Sequence, residues 1–357
     1  MPLTGSQRIR LVLQGARADR IPYSFWTHLP SVDLEPEKLA AETFRFYKTY
    51  DLDFIKNMPN GLFSVEDFGC VCDYSEIALG GVAKIKKYAV QKPEDWRNLI
   101  EPDVRKGAFG RELLSLEYLL KMVKEEAPVI ATVFSPLTTA YKLCGPEVIQ
   151  QLKHHPEKLK AGLDLIAHVT KEFALEALRK GCSGVYFANQ MATREFLTEE
   201  EYAEFGVPYD LKVLKPIHSH SWFNVMHIHG TNIIYKLLAN YPVQALNWHI
   251  WETEPTIETM LKLAPDKVIV GGLQRAHITN GSMTNLRNEV LEVSRITNGN
   301  KIILSPGCVI RYPVNKNVLV SLRKEIIRNS KKFLDSDSVK YNNNFNIRNS
   351  TNQFPFN

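Results

Sequence analysis

The sequence predicts an α/β protein of the (β/α)₈ class, the TIM barrel, and two observations lead to that prediction. Eight short apolar segments recur over about 330 residues, and most are followed by a segment of helical periodicity. The apolar segments are hydrophobic on both faces, which is typical of parallel strands covered by helices. An open, doubly wound sheet is the alternative fold. No Gly-x-Gly-x-x-Gly follows a strand to favour its dinucleotide-binding form.

The predicted elements alternate in chain order from an opening helix onwards. In the second helix, Pro36 suits the first helical position, and Leu39, Phe44 and Tyr47 lie on one face. The predicted strands occupy residues 21–26, 52–57, 129–134, 184–188, 222–228, 243–248, 267–270 and 301–304. The predicted helices occupy residues 5–13, 36–50, 112–126, 156–179, 199–216, 233–240, 256–264, 285–298 and 315–329.

Turn-forming or polar residues mark the ends of the strands. Residues 58–61 (Met-Pro-Asn-Gly) close the second strand, and Ser135-Pro136 closes the third. The fourth strand ends at Asn189-Gln190, and the seventh ends at Gly271-Gly272. These signals support eight separate strands instead of a few longer ones.

The chain is predicted to be one barrel domain over residues 1–330. An extended loop after the second strand covers about residues 59–110, where Gly80-Gly81, a lysine-rich stretch at 84–87 and Pro93 indicate an excursion or a small hairpin. Residues 331–357 are rich in asparagine and offer little apolar surface to bury, so we expect this tail to be disordered.

Composition narrows the class of function. The chain has 357 residues, a net charge of +5 and 44% hydrophobic residues, which is typical of a soluble globular protein. It contains no long basic run with interleaved aromatics, so nucleic acid is not an expected partner. No apolar run reaches the roughly 18–20 residues of a membrane span, and the N-terminus does not read as a signal peptide. Five unevenly spaced cysteines predict reduced thiols and a cytoplasmic location.

Polar side chains gather where the predicted strands end. In a (β/α)₈ barrel those carboxyl ends form one rim, at which the active sites of such enzymes lie. Any one of these residues has an ordinary structural explanation, such as a helix cap, and their joint placement is the stronger signal. The rim residues are Trp26, His28, Lys56, Asn57, Ser135, Asn189, Gln190, His227, His229, Asn247, His249, Gln274 and Cys308.

Three of these residues have the chemistry of metal ligands. His227 and His229 are two residues apart at the end of the fifth predicted strand, and Cys308 follows the eighth. Three protein ligands leave a fourth tetrahedral position open, which is the pattern of a catalytic zinc. The alternative is a pair of hydrogen-bonded histidines and a buried free cysteine, both of which are common.

Several segments of the chain resemble those of a known family. They are residues 8–10 and 20–22 (Arg-Ile-Arg and Arg-Ile-Pro), 181–185 (Gly-Cys-Ser-Gly-Val) and 302–308 (Ile-Ile-Leu-Ser-Pro-Gly-Cys). Over about residues 8–328 the chain is similar to the uroporphyrinogen decarboxylase family in its broad sense. That family also contains zinc-dependent methylcobamide:thiol methyltransferases. The resemblance implies a (β/α)₈ barrel, and a homodimer is implied because family members are often dimers.

Two branches of that family differ in residues that can be compared here. The decarboxylases carry an Arg-Gln-Ala-Gly-Arg-Tyr loop whose arginines pair with substrate carboxylates, whereas residues 25–30 (Phe-Trp-Thr-His-Leu-Pro) contain no arginine. The aspartate that binds the pyrrole nitrogens has no clear counterpart in residues 56–62. The methyltransferases carry His-x-Cys-Gly and Gly-Cys as zinc motifs. This chain has His227-x-His229-Gly230 and Gly307-Cys308, with histidine in place of one cysteine.

The resemblance to the methyltransferase branch implies a function. Zinc held by His227, His229 and Cys308 would bind a small thiol, which would accept a methyl group from a corrinoid protein. With two neutral imidazoles and one thiolate the site has a formal charge of +1, which makes the metal a stronger Lewis acid. Catalytic roles near the metal are expected for His28, Lys56 and His249. Substrate contacts are expected from Trp26, Asn57, Asn189, Gln190, Asn247 and Gln274.

Two other functions stay open on the sequence alone. The first is a lyase that decarboxylates a tetrapyrrole or related carboxylate without a metal, as in porphyrin and haem biosynthesis. The second is a non-catalytic barrel that binds a small ligand. The missing arginines count against the lyase, since a substrate with eight carboxylates needs several cationic partners.

Overall fold

Helices and strands alternate along most of the computed structural model, which describes residues 2–77 and 83–330. The described strands are β1 (Ile55–Lys56), β2 (Val71–Asp73), β3 (Lys84–Lys87), β4 (Val129–Phe134), β5 (Gly184–Asn189), β6 (Val225–Ile228), β7 (Ala245–Trp248), β8 (Val268–Leu273) and β9 (Ile302–Pro306). The described helices are α1 (Gly5–Leu13), α2 (Pro36–Tyr50), α3 (Phe63–Glu66), α4 (Asp95–Asn98), α5 (Gly107–Val123), α6 (Pro136–Cys144), α7 (Val148–His154), α8 (Pro156–Arg179), α9 (Glu199–Phe205), α10 (Val207–His218), α11 (Tyr235–Leu238), α12 (Ile257–Leu263), α13 (Arg275–Asn280) and α14 (Met283–Thr297). Residues 316–330 are also helical.

A curved parallel sheet holds the strands that position the site. Its order is β1-β4-β5-β6-β7-β8-β9, and each neighbouring pair is parallel. Residues 21–26 lie between the two ends of this sheet. The carbonyl of Tyr23 accepts a hydrogen bond from the Asp53 amide at 3.0 Å, and the Ser24 amide donates to the Leu304 carbonyl at 3.0 Å. The parallel order and this closing segment agree with the predicted barrel class.

The predicted first strand is the clearest correction to the secondary structure. Residues 21–26 form one isolated bridge, from Tyr23 to Leu304, and Thr27 just after them forms another, to Ile310; neither is part of a regular strand. Pro22 has no N–H group, so a continuous ladder cannot pass through it. The segment occupies the place of an eighth strand through its hydrogen bonds to both sheet ends.

The segment after β1 is more regular than predicted. β2 and β3 pair as an antiparallel hairpin, and the short helices α3 and α4 flank it. Helix α5 begins at Gly107, five residues before the predicted start, because the Asp67 carboxylate accepts hydrogen bonds from the amides of Ala108 and Phe109. The pair Gly80-Gly81 and the asparagine-rich tail lie outside the described residues.

The barrel interior is fully packed below its rim. Strands β4 and β5 are buried along their whole length, as parallel strands with helices outside should be. The longest described helix, α8, lies with its apolar face against this sheet and against α10. Among residues 2–77 and 83–330, no helix combines the length and the apolar character that a bilayer span requires.

Candidate metal centre

Four side chains converge at the rim above β6, β7 and β9. His227 is in β6, and His229 follows two residues later, so both lie on the same side of the strand direction. In the parallel pairing of β6 with β7, His227 is opposite Asn247, and His249 again lies two residues further on. Cys308 follows β9. The period of two and this register place three imidazoles on the inner side of the barrel.

The four side chains are close enough to bind one ion. The potential ligand atoms of His227, His229, His249 and Cys308 all lie within 4.8 Å of one another. The Cys308 Sγ is 3.6 Å from the Nδ1 of His229. Bonds of 2.3 Å to sulfur and 2.1 Å to nitrogen at a tetrahedral zinc would place those two atoms roughly 3.6 Å apart. The pair therefore already has the separation that a shared zinc ion requires.

Asn247 fixes which nitrogen of His227 is available. The Asn247 amide nitrogen donates to the carbonyls of Val270 at 2.5 Å and Pro306 at 3.2 Å, which directs its oxygen away from them. That oxygen accepts from the Nδ1 of His227 at 2.5 Å and from the Tyr186 hydroxyl at 2.7 Å. Nδ1 must therefore carry the proton, and the Nε2 lone pair is free to bind a metal.

His249 is held in a similar way by Glu252. The Nδ1 of His249 is 3.4 Å from a Glu252 carboxylate oxygen, a weak contact that favours the tautomer with the proton on Nδ1. The opposite nitrogen, Nε2, is buried and meets no hydrogen-bond partner among the described residues. A buried, unpaired acceptor costs free energy unless something satisfies it. A metal ion shared with Cys308 would do so.

The electrostatics favour a thiolate among the imidazoles. Burial raises the pKa of the Cys308 thiol, but the neighbouring His227, His229 and His249 lower it further, so the net pKa lies well below 9.0. Burial lowers the pKa of His227 and keeps that ring neutral. For His249, burial acts in the same direction, but Cys308 and Glu252 outweigh it and the pKa rises. The lowered pKa of Cys308 favours its thiolate, which is the form in which cysteine binds zinc.

Gly307 lets the cysteine approach the end of β7. A Cβ atom at this position would lie 2.7 Å from the Trp248 carbonyl oxygen and 3.1 Å from the Cα of His249. Both are backbone atoms, so any larger residue would push the loop after β9 away from β7. The glycine therefore permits the close contact that brings Cys308 to His249.

A cavity of about 270 Å³ opens beside the cluster. Its lining includes His227, His229 and Cys308 from the cluster and two lysines, Lys56 and Lys142. The remaining lining residues are His28, Met58, Pro59, Gly61, Thr132, Phe134, Tyr186, Ala188, Gln190 and Val309. No acidic side chain is among these residues.

The predicted site residues fall into two groups. His28, Lys56 and Gln190 line the cavity, and His249 and Asn247 lie at the metal cluster. Four others do not line the cavity: Trp26, Asn57, Asn189 and Gln274. The side chain of Asn189 forms hydrogen bonds with Tyr202, Asp210 and the amides of residues 191 and 192, so it is part of the barrel wall. Gln274 is the residue before α13.

Two cavity residues were absent from the sequence prediction. Tyr186 faces the cavity because it lies two residues before Ala188 on the inner face of β5. Lys142 is on α6, a helix that the prediction omitted although Ser135-Pro136 is a typical helix start. His249 was predicted to have a catalytic role in the pocket, not to be a ligand. Its spacing of two from Asn247 matches that of the two histidines on β6, and this is the signal that could have placed it in the cluster.

Two of the known proteins that this chain resembles in sequence are methyltransferases. Methylcobamide:CoM methyltransferase MtbA from Methanosarcina acetivorans is 21% identical over 321 residues, covering 86% of this chain and 93% of that protein. A methylated-thiol–coenzyme M methyltransferase from Methanosarcina mazei is 24% identical over 228 residues, which cover 63% of this chain and 59% of that protein. These relatives support the prediction that the chain is an enzyme of the methyltransferase type.

Solved structures agree on the fold. A methyltransferase from Methanosarcina mazei superposes with a TM-score of 0.77 at 18% identity, over 90% of this chain and 99% of that one. At this identity the likeness establishes the fold alone, and it confirms the predicted barrel class. The sequence pattern of the family described as uroporphyrinogen decarboxylase (URO-D) matches residues 8–325. The chain therefore belongs to the uroporphyrinogen decarboxylase family.

Proposed function

We propose that this protein is a zinc-dependent methyltransferase that transfers a methyl group from a corrinoid protein to a small thiol. The observation that carries the proposal is the cluster of His227, His229, His249 and Cys308 beside a cavity. The relatives support it, since one of them is named a methylcobamide:CoM methyltransferase and another a methylated-thiol–coenzyme M methyltransferase.

The residues present fit a zinc ion. Three imidazoles and a thiolate supply four ligands, and Asn247 and Glu252 orient two of the imidazoles from behind. The sequence predicted three ligands with an open fourth position, whereas the structure adds His249 as a fourth candidate. His249 is oriented from behind only by the 3.4 Å contact with Glu252, so its ring is held less firmly than that of His227.

The chain prepares the thiol and its surroundings. Bound zinc would supply Lewis acidity, which lowers the pKa of a coordinated thiol. Tyr186 and Phe134 give the cavity apolar walls that limit the access of water to the sulfur. His28 lines the same cavity, and burial together with the charges of Lys56 and Lys142 lowers its pKa to about 4. It is therefore a neutral imidazole at pH 7, able to donate or accept a hydrogen bond in the cavity.

The size and charge of the cavity weigh against the tetrapyrrole alternative. Sites for drug-sized ligands are roughly 300–1,000 Å³ in volume, so a cavity of about 270 Å³ suits a smaller molecule. Its lining offers two lysines and no arginine, too few cations for eight carboxylates.

Metal content tests the proposal directly. We expect about one zinc per chain in purified protein by mass spectrometry, and loss of that zinc in Cys308→Ala and His229→Ala. Cys72→Ala is the matched control, because Cys72 lies in β2 on the hairpin and contacts the Cys70 carbonyl instead of the cluster. Demethylation of a methylated corrinoid in the presence of thiols tests the reaction. Metal-free protein with full activity would overturn the proposal.

A further inference from the structure

A buried carboxylate on α10 lies next to the end of β5. The Oδ2 atom of Asp210 accepts hydrogen bonds from the hydroxyls of Tyr202 at 2.5 Å and Tyr241 at 3.1 Å, and from the side-chain nitrogen of Asn189 at 3.2 Å. None of these four residues lines the cavity beside the cluster. Burial of a carboxyl group is costly, and the three donors offset that cost. Asp210 therefore joins α9, the end of β5 and the segment after α11.

The side chain of Asn189 passes this network on to the backbone. Its Nδ2 atom donates to Asp210 and to the Tyr202 hydroxyl, so its Oδ1 atom faces the other way. Oδ1 accepts hydrogen bonds from the amides of Met191 at 3.1 Å and Ala192 at 3.0 Å. An asparagine that bonds to the amides following it fixes the turn of the chain at that point.

The peptide group between Asn189 and Gln190 is hydrogen-bonded at both ends. Its carbonyl oxygen accepts from the amide of His229 at 2.9 Å, and its N–H donates to the Oγ1 of Thr138 at 2.9 Å. Because the group is planar, the directions of these two bonds are set together. The first of them continues the pairing of β5 with β6 by one residue, so the turn at Asn189 determines where the backbone of His229 lies.

The turn after β5 also supports the segment that follows the candidate ligand. The amide of Ile234 donates to the carbonyl of Ala192 at 2.8 Å, and the hydroxyl of Thr193 donates to the carbonyl of Thr231 at 2.7 Å. The chain after β6 is therefore fixed on the turn after β5 on both sides of Gly230.

Backbone support matters most for one of the three imidazoles. The rings of His227 and His249 are oriented from behind by Asn247 and Glu252. In the described part of the chain, the ring of His229 has no such carboxylate or amide behind it. Its position depends on its backbone and on its neighbours in the cluster.

We propose that Asn189 and Asp210 are positioning residues of the candidate metal centre, which hold the backbone of His229 so that its ring meets Cys308 at one ion. The part of this inference that concerns the ion rests on the proposed function, whereas the hold on the backbone does not. The 3.6 Å between the Nδ1 of His229 and the Cys308 sulfur is the separation that this support maintains.

Zinc affinity and the spectrum of cobalt-substituted protein test the inference. We expect Asn189→Ala to weaken zinc binding about tenfold in a chelator competition, and to shift the visible bands of bound Co²⁺ as His229 loses its position. Asn224→Ala is the matched control, because Asn224 is also buried and bonds to the Val185 amide at 3.0 Å, at the opposite end of β5 and β6. Wild-type zinc affinity and a wild-type spectrum in Asn189→Ala would overturn the inference.

Conservative variants separate positioning from a general loss of stability. Asp210→Ala removes the acceptor that orients Asn189, whereas Asp210→Asn keeps an acceptor oxygen for the same donors. We expect Asp210→Ala to weaken zinc binding and Asp210→Asn to restore most of the wild-type affinity. Tyr202→Phe keeps the ring in place and should have a smaller effect in the same direction. Equal zinc affinities in Asp210→Ala and wild type would refute the role of Asp210.

Hydrogen exchange in zinc-free protein distinguishes this inference from the proposed function. We expect the amides of residues 226–234 to exchange about tenfold faster in Asn189→Ala than in wild type, with a smaller change in Asn224→Ala. Unchanged exchange over these residues would overturn the inference, even in a protein that binds zinc. Faster exchange in Asn189→Ala, together with a wild-type protein that contains no zinc, would refute the metal proposal and leave the hold on His229 standing.

Discussion

Replacing Lys56 by methionine should make the protein more stable. Replacement of a residue that stabilises the fold by packing lowers the stability, whereas replacement of a buried cation that has no carboxylate partner among the described residues removes a desolvation cost. Lys56 is suited to this test because it is buried and its described neighbours are Met58 and two aromatic rings. Methionine has similar length and can occupy the same space.

The magnitude follows from the pKa of the amine. Burial lowers the pKa of Lys56 from 10.5 to about 7. Below pH 7 the folded and unfolded states both hold the proton, and the full cost, about 5 kcal/mol, reduces the stability of the wild type. Between pH 7 and 10.5 the unfolded state binds more protons, so the stability of the wild type rises with pH. Above 10.5 the cost disappears.

The variant should therefore gain most at low pH. We expect the difference in free energy of unfolding between Lys56→Met and wild type to be about 2.5 kcal/mol larger at pH 6.5 than at pH 9. Urea denaturation of the two proteins at matched ionic strength measures this difference, with Lys121→Met as the control, because Lys121 is exposed and pairs with Glu117 on α5. A difference that is constant with pH, or a variant that is less stable at pH 6.5, would refute the claim that burial destabilises the charged form of Lys56.

Three other predictions concern the metal centre and the barrel wall. Asn247→Ala should weaken zinc binding about 10- to 100-fold in a chelator competition, because the variant no longer holds the proton on the Nδ1 of His227. Unchanged affinity would contradict that role of Asn247. Gly307→Ala should also weaken zinc binding, since its Cβ would meet the Trp248 carbonyl at 2.7 Å. Gly15→Ala should not, because its Cβ would meet nothing within 4 Å; with a φ of +75° it controls for backbone strain alone. Burial raises the pKa of Asp210 to about 7, so its contribution to stability is full below about pH 4 and is lost as the pH rises towards 7. Asp210→Asn should remove that part of the pH dependence in denaturation curves, and an unaltered curve would show that the carboxyl is ionised in the folded protein.

Local signals predicted much of the fold. Helix α1 has the predicted bounds because Thr4 and Gln7 form a capping box at its start, and α2 has them because Pro36 suits the first turn. The start of α5 was misplaced because its cap, Asp67, is about 40 residues away in sequence. Contacts of that kind have no local signature, so pattern reading cannot anticipate them.

The candidate site was predictable to the extent that it follows strand ends. The sequence prediction brought His227, His229 and Cys308 together, and the structure places them so. It did not assign His249 to the metal, because that assignment needs the register of β6 against β7. Lys142 could not be predicted from the strand ends, because it lines the cavity from the helix α6 and not from a strand.

The contrast between His227 and His229 bears on how ligand sets diverge within the family. His227 is inside a strand and is hydrogen-bonded to Asn247 of β7, whose side chain also bonds to β8 and to the end of β9. Its replacement would therefore disturb hydrogen bonds that link the strands of the barrel. His229 lies past the strand end, just before Gly230, where the backbone φ is +96°. Its ring is anchored by its neighbours at the site and not by the sheet. Exchange between cysteine and histidine should therefore disturb the barrel less at 229 than at 227. Position 229 is thus the candidate ligand at which the charge of a bound metal could change while the barrel keeps His227 in place.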